Sequence, residues 1–411
     1  MKRVLVIGGG AAGLMSAISA SEAGASVTVL EAGEQAGKKI LATGNGKCNF
    51  TNRNMAEECF RSKNPEKARQ ILSRFGAEET IVFFRELGIA VRDRNGYLYP
   101  RSEQAASVRA ALISRAEELG VRFLYNQKVK ELCLEKKGIQ AVTANGRHLT
   151  DAAILATGGK AAPKTGSDGS GLMMAEALGH LVIPPVPALV QLTASGFPFS
   201  KVSGVRAQAR VTIKTGRKVL AGDTGEVQLT DYGLSGIPVF QVSRFAAEAL
   251  ADRRDVEAAL DFFPEMTKEE LGLEYRLRRE RHPGWNSASF LNGLLPDKLS
   301  AALLSGAGIS KKDTWKEIPD KKLQKLADES KELTVKITGT KGFDAAQVTA
   351  GGVALDEIDE RTCGSRILPG LYFAGEILDV DGICGGYNLQ WAWTTGYLAG
   401  RAAAGEMEIH Q

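Results

Sequence analysis

The most restrictive feature of the sequence is a glycine-rich turn close to its start. Residues 8–13 read GGGAAG, a G-x-G-x-x-G pattern. The turn follows a short apolar run over residues 3–7. It opens an alanine-rich stretch over residues 11–23, and a second apolar run follows at residues 26–30. Short apolar runs of this kind are typical of buried parallel strands, so the segment predicts a strand–helix–strand unit.

Each glycine of the pattern has a separate physical role. Gly8 permits the tight turn, Gly10 lets a pyrophosphate approach the backbone, and Gly13 lets the helix pack closely on the strand. The helix N-terminus offers partial positive charge and free N–H groups, and Glu31 can accept hydrogen bonds from ribose hydroxyls. We therefore expect a dinucleotide to contact Gly8, Gly10, Ala11, Ala12, Gly13, Glu31 and Ala32.

Later glycine-rich segments favour FAD over NAD as that dinucleotide. Residues 154–159 read ILATGG and residues 370–376 read GLYFAGE, before a further glycine-rich stretch and a final helix. In FAD proteins of the glutathione-reductase type, the chain returns near its end to place an acidic residue on the ribityl chain. It then starts a helix at the flavin ring. Gly375-Glu376 fits the first role, and residues 385–389 (GGYNL) fit the second.

A loop over residues 37–52 (GKKILATGNGKCNFTN) is dense in Gly, Asn, Thr and Lys, which suits contacts to a cofactor. Lys38, Lys39 and Lys47 could neutralise phosphate or hold a substrate carboxylate, although a solvated basic loop is the alternative. Beyond the first motif, we expect cofactor contacts from Lys38, Lys39, Gly44, Asn45, Gly46, Cys48, Asn49, Val129, Ala156, Thr157, Gly158, Gly375, Glu376, Gly386, Asn388 and Leu389.

The composition of the chain changes at about residue 184, where prolines interrupt it, and the glycine-rich pattern returns at about residue 345. Residues 205–213 alternate apolar and polar side chains, which is typical of a half-solvated antiparallel strand. We predict an α/β protein with a discontinuous Rossmann-like FAD-binding domain of the glutathione-reductase type. Its predicted parts are a cofactor domain over 1–187 and 345–411, an inserted β-rich domain over 188–266 and 334–344, and a small helical subdomain over 267–333.

Charge and cysteine content narrow the function classes. Lys and Arg number 52 and Asp and Glu number 48, so the sequence gives little support for a nucleic-acid or membrane partner. No two of the five cysteines form a C-x-x-C pair, which argues against a zinc site and a redox dithiol. The apolar run at residues 4–7 is too short for a signal segment. We expect a cytoplasmic protein with a small-molecule substrate and no metal; its oligomeric state stays open.

The motifs GGGAAG, GNGKCNFTN, TGSDGSG, DYGLSG, VTAGGV and FAGEILDVDGICGGYNLQWAWTTGYLAG together resemble the BaiN-type, or aminoacetone-oxidase-like, FAD-dependent oxidoreductases. The resemblance covers essentially the whole chain. It implies a flavoprotein fold with an inserted β-rich part and, for some members, reduction of bile-acid intermediates. TGSDGSG (165–171) is also similar to a segment of fumarate-reductase and ketosteroid-dehydrogenase flavoproteins, which hints at redox chemistry on a C–C bond beside a carbonyl.

The resulting hypothesis is an FAD-dependent reductase or dehydrogenase of a small apolar or carbonyl-conjugated substrate, with NADH or NADPH as a possible donor. One alternative is an oxygen-using amine oxidase. Another is a tRNA-binding flavoprotein, supported by an arginine cluster at residues 276–281, although acidic residues interrupt that cluster and favour a solvated helix face. The segment 231–236 (DYGLSG) is the part of the insert that we expect to reach the flavin ring.

No catalytic acid or base is assigned from the sequence. Tyr232 and Tyr387 lie in family motifs and could donate a proton, but packing is the favoured role for each. The histidines lie outside the flavin-facing motifs, which favours structural roles and argues against a histidyl-linked flavin; they are His148, His180, His282 and His410. We expect non-covalent FAD, with linkage through Cys48 or Cys384 left open.

Overall fold

A computed structural model describes residues 1–406 and divides the chain into two compact units. The first unit comprises Met1–Pro185 and Gln347–Gln411, and the second comprises Val186–Ala346. The last residues of the predicted cofactor domain, 407–411 with His410, lie outside the described part. The predicted boundaries at 187/188 and 344/345 differ from these by two residues at each junction.

The first unit contains most of the short strands and the two helices that start at its glycine-rich turns. Up to the first junction its elements are β1 (Arg3–Ile7), α1 (Ala11–Glu22), β2 (Ser26–Leu30), β3 (Thr51–Asn52), β4 (Phe60–Arg61), α2 (Pro65–Leu72), α3 (Ala77–Glu86), β5 (Val91–Arg94), β6 (Tyr97–Pro100), α4 (Ala105–Glu118), β7 (Arg122–Leu124), β8 (Val129–Glu135), β9 (Gly138–Thr143), β10 (Gly146–Thr150), β11 (Ala152–Leu155), α5 (Ser170–Ala177) and β12 (Val182–Ala188), which crosses the junction.

The second unit consists of a barrel and several helices. Its elements are β13 (Leu192–Ser195), α6 (Phe199–Val202), β14 (Arg206–Thr215), β15 (Lys218–Leu229), β16 (Gly233–Ser235), α7 (Ile237–Ala251), β17 (Val256–Asp261), α8 (Lys268–Arg281), α9 (Asp297–Gly306), α10 (Asp320–Lys331), β18 (Leu333–Thr340) and α11 (Gly342–Ala345). After it, the first unit resumes with β19 (Val348–Val353), β20 (Leu371–Phe373), β21 (Asp381–Gly382) and α12 (Tyr387–Ala404).

A five-stranded parallel sheet in the order β20-β11-β1-β2-β7 forms the centre of the first unit. The predicted strands 3–7 and 26–30 are confirmed, and the buried residues Val4–Ile7 of β1 explain their continuous apolar run. Helices α1 and α12 pack on each other through small residues. A Cβ added to Gly396 would lie 2.6 Å from the carbonyl oxygen of Ala12, so only glycine permits this approach.

Two three-stranded antiparallel sheets accompany the central sheet, in the orders β10-β9-β8 and β3-β6-β5, and strands also pair as β12-β19 and β21-β4. A tight hairpin joins β9 to β10. Gly146 already pairs with Thr143, so Ala144 and Asn145 form the two-residue loop. The reason is that Gly146, at φ 150°, takes an extended place at the start of β10 rather than a turn position.

The second unit is built on a closed six-stranded antiparallel barrel in the order β13-β16-β15-β14-β17-β18. The predicted alternation is confirmed in β14, where Ala207, Ala209, Val211 and Ile213 are buried and Arg206 is exposed. Helices α8 to α10 occupy the segment for which a helical part was predicted. The α/β fold with its inserted β-rich and helical parts is therefore confirmed, whereas the separation of residues 267–333 as a subdomain stays a prediction.

Three further findings bear on function. Within residues 1–406, no helix is long and apolar enough to cross a membrane. The same residues contain no group of three or more metal-ligating side chains arranged to hold an ion. All five cysteines lie in the described part of the chain and none forms a disulfide.

Candidate functional site

A cavity of about 370 Å³ opens in the first unit where the central sheet meets the starts of α1 and α12. Ile7, Ala156 and Ala374 line it; they lie at or directly after the carboxyl ends of β1, β11 and β20. In open parallel sheets, ligands bind outside the carboxyl ends of the strands. The cavity therefore lies where such a fold places its cofactor.

The three motif glycines differ in what surrounds them. A Cβ on Gly13 would lie 1.9 Å from the carbonyl oxygen of Gly8, and a Cβ on Gly8, at φ +99°, would lie 2.6 Å from the carbonyl oxygen of Ala156. A Cβ on Gly10 would meet no described atom within 4 Å, and Gly10 lines the cavity. Two of the glycines are thus needed for packing, and Gly10 keeps cavity space open.

Two helix N-termini open into this cavity. Gly10 is the N-cap of α1 and Gly386 is the N-cap of α12; no described side chain caps either helix, and neither first turn contains an acidic residue. Residues 10–12 and 388–389 line the cavity. Free N–H groups and the helix dipole favour negative charge at both places. The pair suits a ligand with a pyrophosphate and a second electron-rich group, which is the chemistry of FAD.

Glu31 lines the cavity and is already oriented by the backbone. Its Oε2 accepts a hydrogen bond from the Gly9 amide at 2.7 Å, and its Oε1 accepts one from the Gly33 amide at 2.7 Å. Each carboxylate oxygen retains a lone pair for a further donor. The arrangement fits acceptance of two ribose hydroxyls.

Lys39 and Glu376 are joined across 337 residues of sequence. Lys39 Nζ donates to Glu376 Oε2 at 2.7 Å and lies 3.3 Å from the carbonyl oxygen of Ala161. Glu376 Oε1 accepts from the Thr349 amide at 2.9 Å. Both partners of the ion pair line the cavity and are mostly buried. The predicted acidic residue of the ribityl region is therefore held in place from two sides.

Asn49 lies beside the start of α12 with an unsatisfied acceptor. The residue is 8% exposed, and among the described residues its Oδ1 has no hydrogen-bond partner. A Cβ on Gly386 would lie 3.0 Å from that oxygen. A buried unpaired amide oxygen costs free energy unless a ligand or water satisfies it. This atom, the two uncapped helices and the space at Gly10 together fit FAD.

Most of the predicted cofactor residues line this one cavity, and some do not. Those that line it are Gly8, Gly10, Ala11, Ala12, Glu31, Ala32, Lys38, Lys39, Val129, Ala156, Thr157, Gly158, Gly375, Glu376, Asn388 and Leu389. Those outside its lining are Gly13, Gly44, Asn45, Gly46, Cys48, Asn49 and Gly386. The cofactor contacts of both groups stay predictions.

Residues 165–168 and Ser170 also line the cavity, although the sequence did not assign them to the cofactor. Among them, Asp168 accepts from Lys128 Nζ at 2.5 Å and from the Ser170 amide at 3.0 Å. Burial opposes ionisation of Asp168, but these hydrogen bonds outweigh it and lower the pKa of the carboxyl to about 2. The density of Gly and Ser in TGSDGSG could have indicated a cofactor contact. The segment was not assigned because no strand is predicted directly before it.

Three side chains considered above as catalytic or flavin-linking groups are buried in packed surroundings: Cys48, Tyr387 and His180. Cys48 is fully buried, and burial raises the pKa of its thiol to about 11, so the thiol is protonated at neutral pH. Tyr387 is buried edge-on against Phe60, and burial raises its pKa. His180 contacts Glu357 at 3.1 Å and Ser365 at 3.0 Å, and burial lowers the pKa of its imidazole.

In the second unit, the DYGLSG motif supplies the end of the turn after β15 and the whole of β16. Thr230 Oγ1 donates to the carbonyl oxygen of Gly233 at 3.0 Å, and Lys341 Nζ lies 4.6 Å from the ring centroid of Tyr232. In α8, Arg278 donates to the carbonyl oxygen of Phe290, and Arg279 contacts Asp320 at 2.7 Å. The approach of DYGLSG to the flavin stays a prediction.

Replacing Glu31 by alanine is expected to weaken FAD binding by about tenfold or more, because a charged acceptor of the ribose hydroxyls is lost. The same change leaves the Gly9 and Gly33 amides without their acceptor, so the apoprotein should also lose about 1 kcal/mol of stability. Titration of apoprotein with FAD measures the first effect and urea unfolding the second. An unchanged dissociation constant would exclude Glu31 as the ribose ligand.

Comparison with known proteins agrees with this fold. The family described as "HI0933-like protein Rossmann domain" matches residues 2–402. A 3-dehydro-bile acid delta(4,6)-reductase from Clostridium scindens is 46% identical over 98% of this chain and 99% of its own length. A ribosomal RNA dihydrouridine synthase from Haemophilus influenzae is 31% identical over 96% of each chain.

A solved structure of a flavocytochrome c3 fumarate reductase in its open conformation shares the fold. Its TM-score is 0.50 at 15% identity, and the match covers 98% of this chain and 78% of that one. At this identity the likeness shows the architecture alone, including the interruption of the cofactor unit by an insert. The chain belongs to the HI0933-like Rossmann family and is an oxidoreductase, as the resemblance to BaiN-type flavoproteins predicted.

Proposed function

We propose that the chain is an FAD-dependent reductase that saturates a carbon–carbon double bond conjugated to a carbonyl group. The observation that carries the FAD assignment is the single cavity that collects Gly10, Glu31, Glu376 and the start of α12 from both ends of the chain. The reaction type rests on the chemistry that the named relatives have in common.

The two kinds of relative act on different molecules but on similar bonds. In a 3-dehydro bile acid with double bonds at positions 4 and 6, both double bonds are conjugated to the carbonyl at position 3. In uridine, the double bond that is absent from dihydrouridine is conjugated to a ring carbonyl. The higher identity to the bile-acid enzyme, 46% against 31%, favours a small polycyclic or similarly apolar enone as the substrate class.

Residues of the first unit have separate roles in this proposal. The N-terminus of α1 would hold the pyrophosphate, Glu31 the adenosine ribose, and the Lys39–Glu376 pair the ribityl region. Bound FAD, once reduced, would supply the electron pair for the reduction, and NADH or NADPH is the donor class that we propose for reducing it. The N-terminus of α12 would stabilise negative charge placed near it by about 0.3–1 kcal/mol. The burial of Cys48 supports non-covalent binding.

Anaerobic reduction of the purified protein tests this proposal. We expect denaturation to release FAD, and we expect NADH or NADPH to bleach the flavin. A 3-oxo-4-ene steroid acid should then restore the oxidised spectrum and yield the saturated ketone. If an amine reduced the flavin and oxygen reoxidised it with formation of peroxide, the result would instead support the amine oxidase alternative. Release of FMN, or of no flavin, would overturn the cofactor assignment.

Reduction of uridine in RNA is a second candidate, because relatives named ribosomal RNA dihydrouridine synthase match at 31% and 29% identity. Against it, the chain's charges nearly balance, and Arg278 and Arg279 in α8 are engaged by neighbouring groups of the second unit. Incubating the reduced enzyme with ribosomal RNA and measuring dihydrouridine by mass spectrometry separates the candidates. Formation of dihydrouridine without enone turnover would favour RNA as the substrate.

A further inference from the structure

One face of the small sheet β3-β6-β5 carries basic and aromatic side chains together. Across the β5/β6 pair, Arg92 lies opposite Tyr99 and Arg94 lies opposite Tyr97. Directly opposed residues of antiparallel strands project to the same side, as do alternate residues of one strand. These four side chains therefore share one face, which we call the Arg92 face.

The opposite side of β5 carries the negative charge. Asp93 alternates with the two arginines and accepts a hydrogen bond from Arg53 Nε at 2.7 Å. Arg53 also contacts Glu78 at 2.7 Å. Because side chains alternate along a strand, this acidic pair lies away from Arg92 and Arg94 and does not neutralise them directly. Arg53 consequently offers a matched control on the other side of the same strand.

One carboxylate holds three cations together on the Arg92 face. Glu103 accepts from Arg92 at 2.6 Å, accepts from Arg94, and lies 3.2 Å from Lys47 Nζ. The side chains of Lys47, Arg92 and Arg94 are 45%, 50% and 42% exposed, so solvent and ligands can reach them. Three positive charges around one negative charge leave an accessible positive excess. A guanidinium has several N–H donors in a planar fork, so it can hold Glu103 and a second carboxylate at once.

Two short stretches of chain connect the Arg92 face with residues that line the cofactor cavity. The 3-10 helical segment Lys39–Gly46 begins with residues that line the cavity, and Lys47 directly follows its end. On the other side, a Cβ on Gly385 would lie 3.0 Å from the Tyr97 ring, and Gly385 immediately precedes the N-cap of α12. A ligand that reacts near the start of α12 can therefore extend its far end onto this face.

We propose that the Arg92 face binds the carboxylate of an anionic enone substrate, with Tyr97 and Tyr99 against the apolar body next to it. The proposal rests on the proposed reductase function and adds the charge of the substrate to it. Planar guanidinium groups pair well with carboxylates, and tyrosine rings offer flat amphipathic surface. The face is compact, and a phosphate backbone would call for an extended basic surface, which favours a single carboxylate.

The test compares an enone carboxylic acid with its neutral methyl ester, using the oxidised FAD-loaded protein. Binding is measured from the change in flavin absorbance, so no turnover is needed. A failure of carboxylate binding can therefore be distinguished from a failure of the proposed reductase activity. We expect the double variant R92A/R94A to raise the Kd of the acid by about tenfold or more and that of the ester much less. Added salt should weaken binding of the acid to the wild type and have little effect in the variant.

Matched variants separate charge recognition from general damage. Arg53→Ala removes a cation from the opposite side of β5 and should leave the preference for the acid intact. If the double variant folds poorly, the single variant Lys47→Gln serves as a second test. It should also raise the Kd of the acid more than that of the ester. Equal losses for acid and ester, or no loss for either, would overturn the proposal. It would also be overturned if the double variant lost affinity for a uridine oligonucleotide and kept its affinity for the acid.

Discussion

Replacing Gly10 by valine is expected to abolish stable retention of FAD while leaving the protein folded. Gly10 has φ −74° and ψ −166°, which a valine adopts without strain, and a Cβ there would meet no described atom within 4 Å. Because Gly10 lines the cavity, the added side chain would occupy space that the pyrophosphate needs. Overpacking costs about 1–3 kcal/mol, which corresponds to about a 5- to 160-fold loss of affinity.

Flavin content after purification and titration of apoprotein with FAD measure this loss. Circular dichroism and urea unfolding of the apoprotein should match those of the wild type, because the side chain enters open space. The variant Gly10→Ala should show a smaller loss in the same direction. A yellow Gly10→Val protein with wild-type affinity would show that the pyrophosphate does not pass over the start of α1.

Replacing Gly13 by alanine is expected to destabilise the first unit by about 3 kcal/mol. The new Cβ would lie 1.9 Å from the carbonyl oxygen of Gly8, so the start of α1 or the end of β1 must shift. Alanine gains about 1 kcal/mol over glycine in helix propensity, which is less than the cost of moving backbone. The loss should appear as a lower urea midpoint for the apoprotein, before any cofactor is added.

The Gly10→Ala variant is the control for this effect, since it adds the same methyl group three residues earlier in open space. If Gly13→Ala were as stable as wild type, the close contact between α1 and β1 would not be a determinant of the fold. Together the two positions separate the glycine that packing needs from the glycine that the ligand needs.

Local sequence determined the parts of the fold whose cause is local. The order of apolar run, glycine turn and helix in residues 3–30 predicted β1, α1 and β2. The pattern of apolar residues within each element directly reflects which of its side chains are buried. The alternation around Val211 predicted a half-buried strand for the same reason. Whole-chain motif resemblance predicted the family and the interrupted cofactor unit.

Tertiary structure decided which distant residues meet. No periodicity links Lys39 to Glu376, which lie 337 residues apart and form an ion pair in the cavity. Composition alone pointed to the loop at residues 37–52, yet of that loop only Gly37, Lys38, Lys39, Ile40 and Thr43 line the cavity. Gly44 and Asn45 adopt left-handed conformations that interrupt the helical segment there. The Arg92 face likewise depends on strand register, since a shift of one residue would exchange Arg92 for Asp93.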